Sequence, residues 1–246
     1  MEMYDLIAET YSDLFPLEVP KVDFLDRLFH RRSASVLDIG CATGDLAFAL
    51  AKRGFRVLGI DLNAKMIEIA QKRNQKNVGN LEFRVLDMRN IGDLGNLDYA
   101  LCLGNTLPHL PSLAGVRAFL TTLRSQLEPD GLIVAQVLNY DKILKNRTVE
   151  FQTVELESLS FARRYSFREN GGIWFEIEVR RKNDPTSLRD STELLPLKKL
   201  TLIDLLTQAG FSKVETYADF TGRASTDDDF AVIYVASRRV LRRRDR

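Results

Sequence analysis

Cysteine and histidine are scarce in this chain of 246 residues, which contains only two of each. The cysteines, Cys41 and Cys102, lie in apolar stretches. They have neither the spacing of zinc ligands nor enough partners for a disulfide framework. The scarcity therefore predicts no metal site and favours a reducing compartment, so we expect a cytoplasmic protein.

The sequence also lacks a signal peptide, an apolar run long enough to span a bilayer, and an excess of either charge. With 35 basic and 34 acidic residues the formal net charge is +1, so we expect neither a membrane nor a nucleic acid as partner. The basic tail Arg238–Arg246 is interpreted as a solvated terminus, with weak contact to RNA or anionic lipid as the alternative. A chain of this length forms one substantial core, so we expect a single domain over residues 1–246.

What the sequence does contain is a strand, turn and helix pattern over Val36–Leu50. The apolar strand ends in Asp38, and the turn carries small residues at Gly40, Ala42 and Gly44. Small residues let backbone N–H groups approach a ligand, and the following helix N-terminus adds a partial positive field. The spacing G-x-A-x-G differs from the dinucleotide fingerprint, and a carboxylate here would repel phosphate but attract an amino group. Both features weigh against an NAD-dependent oxidoreductase.

Two further predicted strands also end in acidic residues. The strand Phe55–Asp61 ends where a carboxylate can accept hydrogen bonds from both ribose hydroxyls of an adenosine. The alternative is that Asp61 or Asn63 caps the next helix. The strand Leu81–Asp87 ends beside Met88, a position suited to adenine, with a turn aspartate and a core methionine as the alternative.

The stretch around Asp38 resembles motif I of the class I S-adenosylmethionine (SAM)-dependent methyltransferases. In that family the acid and the turn hold the methionine end of SAM, and glycine is usual where this chain has Ala42. The resemblance implies an α/β fold with a Rossmann-like, seven-stranded, mostly parallel sheet, the last strand antiparallel and helices on both faces. It implies the following SAM-binding residues: Tyr11, Asp38, Gly40, Ala42, Gly44, Asp61, Leu62, Asp87, Met88, Leu103 and Gly104.

The runs Cys102–Pro111 and Asn139–Leu144 are similar to those of the glycine/sarcosine N-methyltransferases. That resemblance implies three catalytic residues in the acceptor site: Asn105, His109 and Tyr140. For His109 a general base and a hydrogen-bonded loop histidine both remain open. In glycine N-methyltransferases an arginine precedes the Asn-Tyr-Asp and pairs with the substrate carboxylate. Here Leu138 stands at that position, so glycine held in the same way is not expected.

Two segments are expected to enclose the site. Residues 1–30 are predicted to form cap helices, the first over residues 3–15, in which Tyr4 and Tyr11 either line the SAM site or pack on the domain. Residues 148–195 alternate with period two around a hairpin signal, which predicts an antiparallel β insertion that acts as a lid. Six of its residues are candidates for acceptor contact, with a solvated or packing role as the alternative for each, and together they leave an anionic acceptor open: Arg163, Arg164, Tyr165, Arg168, Trp174 and Arg189.

These features predict an enzyme that transfers the methyl group of SAM to a nitrogen or oxygen of a small-molecule acceptor by in-line displacement, releasing S-adenosylhomocysteine (SAH). No metal is needed for that chemistry, because the sulfonium already supplies a reactive leaving group. We expect a monomer or homodimer. An RNA methyltransferase and a non-catalytic SAM-binding protein are the alternatives.

Overall fold

The computed structural model describes residues 2–74, 79–147, 151–169, 172–182, 184 and 186–238. Its strands are β1 (Ser35–Ile39), β2 (Arg56–Asp61), β3 (Leu81–Val85), β4 (Leu97–Cys102), β5 (Leu127–Leu138), β6 (Val154–Glu155), β7 (Leu159–Phe167), β8 (Ile173–Arg181), β9 (Ser187–Leu194), β10 (Lys213–Tyr217) and β11 (Ala231–Ser237). Its α-helices are α1 (Glu2–Asp5), α2 (Tyr11–Leu14), α3 (Val19–Leu28), α4 (Asp45–Lys52), α5 (Ala64–Arg73), α6 (Leu113–Gln126), α7 (Tyr140–Asn146) and α8 (Lys199–Gln208). Short 3₁₀ turns cover Ala8–Thr10, Met88–Asn90 and Leu107–His109.

The larger sheet has seven strands in the order β10-β11-β5-β4-β1-β2-β3. Strand β1 is parallel to both β2 and β4, whereas β11 is antiparallel to both β5 and β10. The prediction of a mostly parallel sheet with an antiparallel last strand is therefore confirmed. The strand order reverses beside β1, and ligands of open α/β sheets bind in the crevice at the carboxyl ends of the strands there.

Helices cover both faces of this sheet, as predicted. Neighbouring residues of β1 point to opposite faces, so that Val36 packs in a core with α3, α4 and α5 while Leu37 packs in a core with α6 and α8. Both side chains are essentially inaccessible to solvent. Each such burial contributes roughly 1.5–3 kcal/mol relative to an exposed side chain, which holds the strand ends in fixed positions.

The smaller sheet, here called the lid sheet, consists of β6, β7, β8 and β9 in that order, all antiparallel. It confirms the predicted antiparallel insertion after β5. The hairpin between β7 and β8 pairs Phe167 with Ile173, while residues 170 and 171 of the predicted turn lie outside the described residues. Residues 239–246 of the basic tail also lie outside them.

The prediction of one helix over residues 3–15 is wrong. The segment, here called the N-terminal cap (residues 2–15), consists of α1, a 3₁₀ turn and α2. Ile7 and Thr10 have φ/ψ of −117°/0° and −109°/8°, outside the helical region. The Thr10 hydroxyl donates to the Ile7 carbonyl at 3.3 Å, and Ile7 and Ala8 are buried. Burial of these two residues thus overrides the regular helical pattern of the sequence.

The N-terminal cap lies between the lid sheet and the turn after β1. A third, smaller core joins Ile7 of the cap, Ala42 of the turn, Met66 of α5 and Phe161 of the lid sheet. Because these side chains share one apolar cluster, the cap and the lid sheet together cover the carboxyl ends of β1 and β2. Among the described helices none has the length and apolar character needed to cross a membrane.

Candidate active site

The carboxylates of Asp38 and Asp61 meet at the carboxyl ends of the adjacent parallel strands β1 and β2. Asp61 Oδ2 accepts the Ala42 N–H at 2.9 Å, and Asp61 Oδ1 accepts the Asn63 N–H at the same distance. The helix cap is Asn63, whose Oδ1 accepts the Met66 N–H at 2.9 Å. Asp61 therefore connects the turn to β2, and burial raises the pKa of its carboxyl group.

Asp38 is a buried carboxylate without a hydrogen-bond partner among the residues that the structure describes. Only 4% of its surface is exposed. Burial, together with the nearby Asp61 charge, raises the pKa of Asp38 to about 7, and Lys21 opposes that rise. A buried carboxylate in this state gains most from a ligand that carries a positive charge and hydrogen-bond donors. Asp38 is therefore suited to bind an ammonium group.

The turn between β1 and α4 is held in left-handed backbone conformations. Gly40, Ala42 and Gly44 have φ of 72°, 48° and 85°. A Cβ at Gly44 would lie 2.5 Å from Cζ of Phe83, which explains the glycine there. Ala42 adopts the left-handed region with a side chain, at a cost of about 1 kcal/mol. Such strain is retained where the surrounding structure fixes the backbone, commonly at a site of function.

Apolar side chains remain exposed beside Asp61. Leu62 is 46% exposed and Val85, at the end of β3, is 52% exposed. Met88 is partly buried against the core. Such a surface next to a carboxylate suits a flat aromatic ring.

Asp87 has the geometry of a turn aspartate. It accepts the Arg89 N–H at 2.8 Å and forms an ion pair with Arg89, Nη2 to Oδ2, at 2.6 Å. Hydrogen bonding to Arg89 lowers the pKa of Asp87. A ligand amine would therefore share this carboxylate with the arginine.

The loop after β4 carries the predicted acceptor residues. Gly104 and Asn105 have φ of 64° and 67°, and Leu103 before them is buried. Asn105 Oδ1 accepts the Leu138 N–H at 3.1 Å, and its Nδ2 donates to Tyr140 Oη at 3.1 Å. Asn105 is thus fixed between β5 and the start of α7.

His109 contacts the N-terminal cap. Its Nε2 lies 3.1 Å from Tyr4 Oη, within hydrogen-bond distance. Burial lowers the pKa of His109 to about 4, so the imidazole is neutral at physiological pH. This geometry matches the hydrogen-bonded loop histidine of the two interpretations offered by the sequence.

Four buried tyrosine hydroxyl groups surround these residues. Burial is the main cause that raises the pKa of each, so all four are protonated at physiological pH. Tyr11 lies close enough to Asp38 and Asp61 for their charges to act on it. Tyr165 of the lid sheet lies close enough to Tyr140 and Tyr4 for them to raise its pKa. The structure therefore brings the cap, the lid sheet and the acceptor loop together above the two carboxylates.

One polar network at the site has no signal in the sequence. Arg73 Nη2 pairs with Asp45 Oδ1 at 2.6 Å, and Arg73 Nη1 donates to the Thr43 carbonyl at 2.8 Å. The Ser12 hydroxyl donates to Asp45 Oδ2 at 2.6 Å. These bonds connect the cap, the turn and α5, but their residues are far apart in the chain, so only the fold identifies them.

Comparison with known proteins finds methyltransferases that resemble this chain. Residues 36–131 match a family model described as a methyltransferase domain. The chain is 27% identical over 217 residues to the glycine/sarcosine N-methyltransferase of Halorhodospira halochloris, covering 87% of this chain and 79% of that protein. These matches support a class I SAM-dependent methyltransferase.

Solved structures share the fold of this methyltransferase. A SAM-dependent methyltransferase from Clostridium acetobutylicum superimposes with a TM-score of 0.81 at 14% identity, covering 95% of this chain and 98% of that one. An amino pentose methyltransferase from Micromonospora echinaspora, solved with SAM bound, gives a TM-score of 0.70 at 20% identity, covering 95% of this chain and 97% of that one. At these identities the likeness establishes the architecture, and the acceptor has to be argued from the site.

The raised pKa of Asp38 predicts a stability that depends on pH. Between its ordinary pKa near 3.8 and about 7, the folded methyltransferase binds more protons at this carboxyl than the unfolded chain does. The stability that the protonated Asp38 contributes to the folded state is thus fully present below pH 3.8 and is lost as the pH rises through about 7. Without ligand, Asp38→Asn should therefore gain stability relative to the wild type by on the order of 2 kcal/mol between about pH 5 and about pH 8.

Urea unfolding of the two proteins across this range measures the effect. Asp93→Asn, at an exposed position, is the matched control and should show no such change with pH. A constant difference between Asp38→Asn and the wild type across the range would contradict the buried, unpaired state of Asp38.

Proposed function

We propose that this enzyme transfers the methyl group of SAM to a nitrogen or oxygen of a small-molecule acceptor by in-line displacement. The observation that carries the proposal is the buried, unpaired Asp38 carboxylate beside Asp61, enclosed beneath the N-terminal cap and the lid sheet. We further propose that residues 1–246 form one domain, with the cap and the lid sheet as parts of it.

The residues present fit SAM. Asp38 would hold the amino group of its methionine end, since this carboxylate has no hydrogen-bond partner among the described residues. Asp61 would accept from the ribose hydroxyls, and the exposed Leu62 and Val85 would cover the adenine. When bound, SAM supplies a methyl group on a sulfonium, so the protein has mainly to bind and align the acceptor.

Enclosure of the site supports a small acceptor. Two polar contacts hold the cap over the carboxylates. Tyr4 Oη lies within hydrogen-bond distance of His109, and Asn63 Nδ2 donates a hydrogen bond to Asp5 at 2.6 Å. The apolar cluster that the cap shares with the lid sheet adds to them. A base within an RNA chain would need the cap and the lid sheet to separate. Similar proteins, a glycine/sarcosine N-methyltransferase and an amino pentose methyltransferase, act on small acceptors, which supports a small acceptor here.

The acceptor would be oriented by neutral hydrogen-bonding groups. Asn105, His109 and Tyr140 converge on the loop after β4, and each offers a hydrogen-bond donor or acceptor to a bound nucleophile. A histidine whose pKa lies near 4 takes up protons poorly at neutral pH, so we assign His109 to orientation. An amine acceptor would therefore react in its uncharged form.

The methyl-donor assignment is tested by ligand binding and product release. SAM or SAH at about 1 mM should raise the melting temperature, because a ligand that binds only the folded state stabilises it. Incubation with pooled small-molecule acceptors should then release SAH, measured by mass spectrometry. Absence of a thermal shift would overturn SAM binding. A shift in melting temperature, with SAH released when RNA is the acceptor but not with any small molecule, would overturn the assignment to a small-molecule acceptor.

The role of His109 is tested against the only other histidine of the chain. His109→Gln should lower kcat less than about 10-fold and leave the shape of the pH–rate profile between about pH 6 and pH 9 unchanged, because the imidazole does not titrate there. His30→Gln, at an exposed position, is the control and should match the wild type. A loss of about 100-fold or more, with disappearance of one pKa from the profile, would show that His109 is a general base.

A further inference from the structure

Arg163 differs from the other arginines of the lid sheet. Four lie on its outer face and have partners: Arg164 pairs with Glu176 at 2.6 Å, Arg180 and Arg189 pair with Glu178 at 2.8 Å and 3.1 Å, and the Arg168 guanidinium lies 5.1 Å from the Trp174 ring centroid. Arg181, at the end of β8, is exposed. Arg163 points away from the outer face. It forms no ion pair with any carboxylate in the described part of the chain.

Arg163 is enclosed by aromatic rings. Its guanidinium lies 5.3 Å from the ring centroids of Phe15 and Phe151 and 5.5 Å from that of Phe161. Its Nε is buried without a hydrogen-bond partner. Burial of a guanidinium in apolar surroundings is costly unless an anion compensates it, and an anion bound there would be held strongly because little water competes.

The position of Arg163 relates it to the acceptor end of the site. On β7 it lies two residues before Tyr165, on the same face of the strand. Its charge acts more strongly on Tyr165, which lies beside Tyr140 and Tyr4, than on Tyr11, which lies beside the two carboxylates. Leu138, at the end of β5 next to Asn105, brings no charge of its own. Arg163 is therefore placed to hold a charged group of the molecule that the acceptor loop orients.

A different cation lies nearest the methionine end of the site. The Lys21 side chain is close enough to Asp38 for each to act on the other's pKa. Lys21 is thus available to the carboxylate of SAM, which leaves Arg163 to another anion.

We propose that Arg163 binds a carboxylate of the methyl acceptor, so that the substrate is a small amine that carries a carboxylate. This inference rests on the proposed function. The planar guanidinium can donate two parallel hydrogen bonds to a carboxylate, and the three phenylalanine rings restrict its orientation. In this arrangement the carboxylate is held from the lid sheet.

The test uses matched acids and amides as acceptors. SAH release is measured with a set of amino carboxylates of increasing chain length, glycine to 6-aminohexanoate, with the aromatic anthranilate, and with the primary amide of each. At least one acid should be methylated, with a kcat/KM about 100-fold above that of its amide. Equal rates for an acid and its amide, or release with no member of the set, would overturn the proposal.

Variants then assign the effect to Arg163. With the best acid, Arg163→Met should lower kcat/KM about 100-fold and remove the preference over the amide, while Arg163→Lys retains part of it. Arg164→Met, the neighbour on the outer face, is the matched control and should behave as the wild type. SAM affinity, measured by calorimetry, should change less than about threefold in all variants.

The outcomes separate this proposal from the proposed function. Loss of SAM binding in a folded Arg163→Met or Arg163→Lys variant would overturn the proposal, since Arg163 would then hold the carboxylate of SAM. SAM binding by the wild type without any acid preference would overturn the proposal and leave the methyl-donor assignment intact. Failure of the wild type to bind SAM would refute the proposed function itself.

Discussion

Two carboxylates that face one another, with no hydrogen-bonded cation on Asp38 among the described residues, are the constraint on which the site depends. Asp38 and Asp61 lie at the ends of adjacent parallel strands, so the sheet itself brings two like charges together. Asp61 is stabilised by two backbone N–H groups, whereas Asp38 has no hydrogen bond from the described residues and has its pKa raised to about 7. The Asp38 carboxylate therefore lowers the stability of the ligand-free protein, and a positively charged ligand bound there would restore that stability.

The cap and the lid sheet follow from that constraint. By enclosing the carboxylates they exclude water, which raises both the cost of the unpaired charge and the strength of its interaction with a ligand. The same enclosure places three protonated tyrosines, a neutral histidine and the half-buried Arg163 around the loop after β4, and a fourth tyrosine, Tyr11, beside the carboxylates. Alignment by neutral groups is sufficient for methyl transfer, because the leaving group is already activated.

The sequence predicts most of the fold and the positions of Asp38 and Asp61 at neighbouring strand ends. Strand ends at Asp38 and Asp61 follow from short apolar runs that finish in an acid, a local pattern that the parallel sheet then brings together. The breaks in the cap could not be predicted, because Ile7 and Ala8 are fixed by burial against elements far away in the chain. The inward direction of Arg163 could not be predicted from the sequence either. Arg163 and Arg164 are adjacent arginines, and only the structure shows which face of the lid sheet each one occupies.

The most direct test of the two-carboxylate site is the number of protons exchanged on SAM binding. Calorimetric titrations at about pH 6.5, in two buffers of different ionisation enthalpy, measure it. Because an ammonium ligand requires Asp38 to ionise, the wild type should release roughly 0.7 proton per SAM bound. Asp38→Asn should bind more weakly and release almost none. Identical binding heats in both buffers for the wild type would contradict the account.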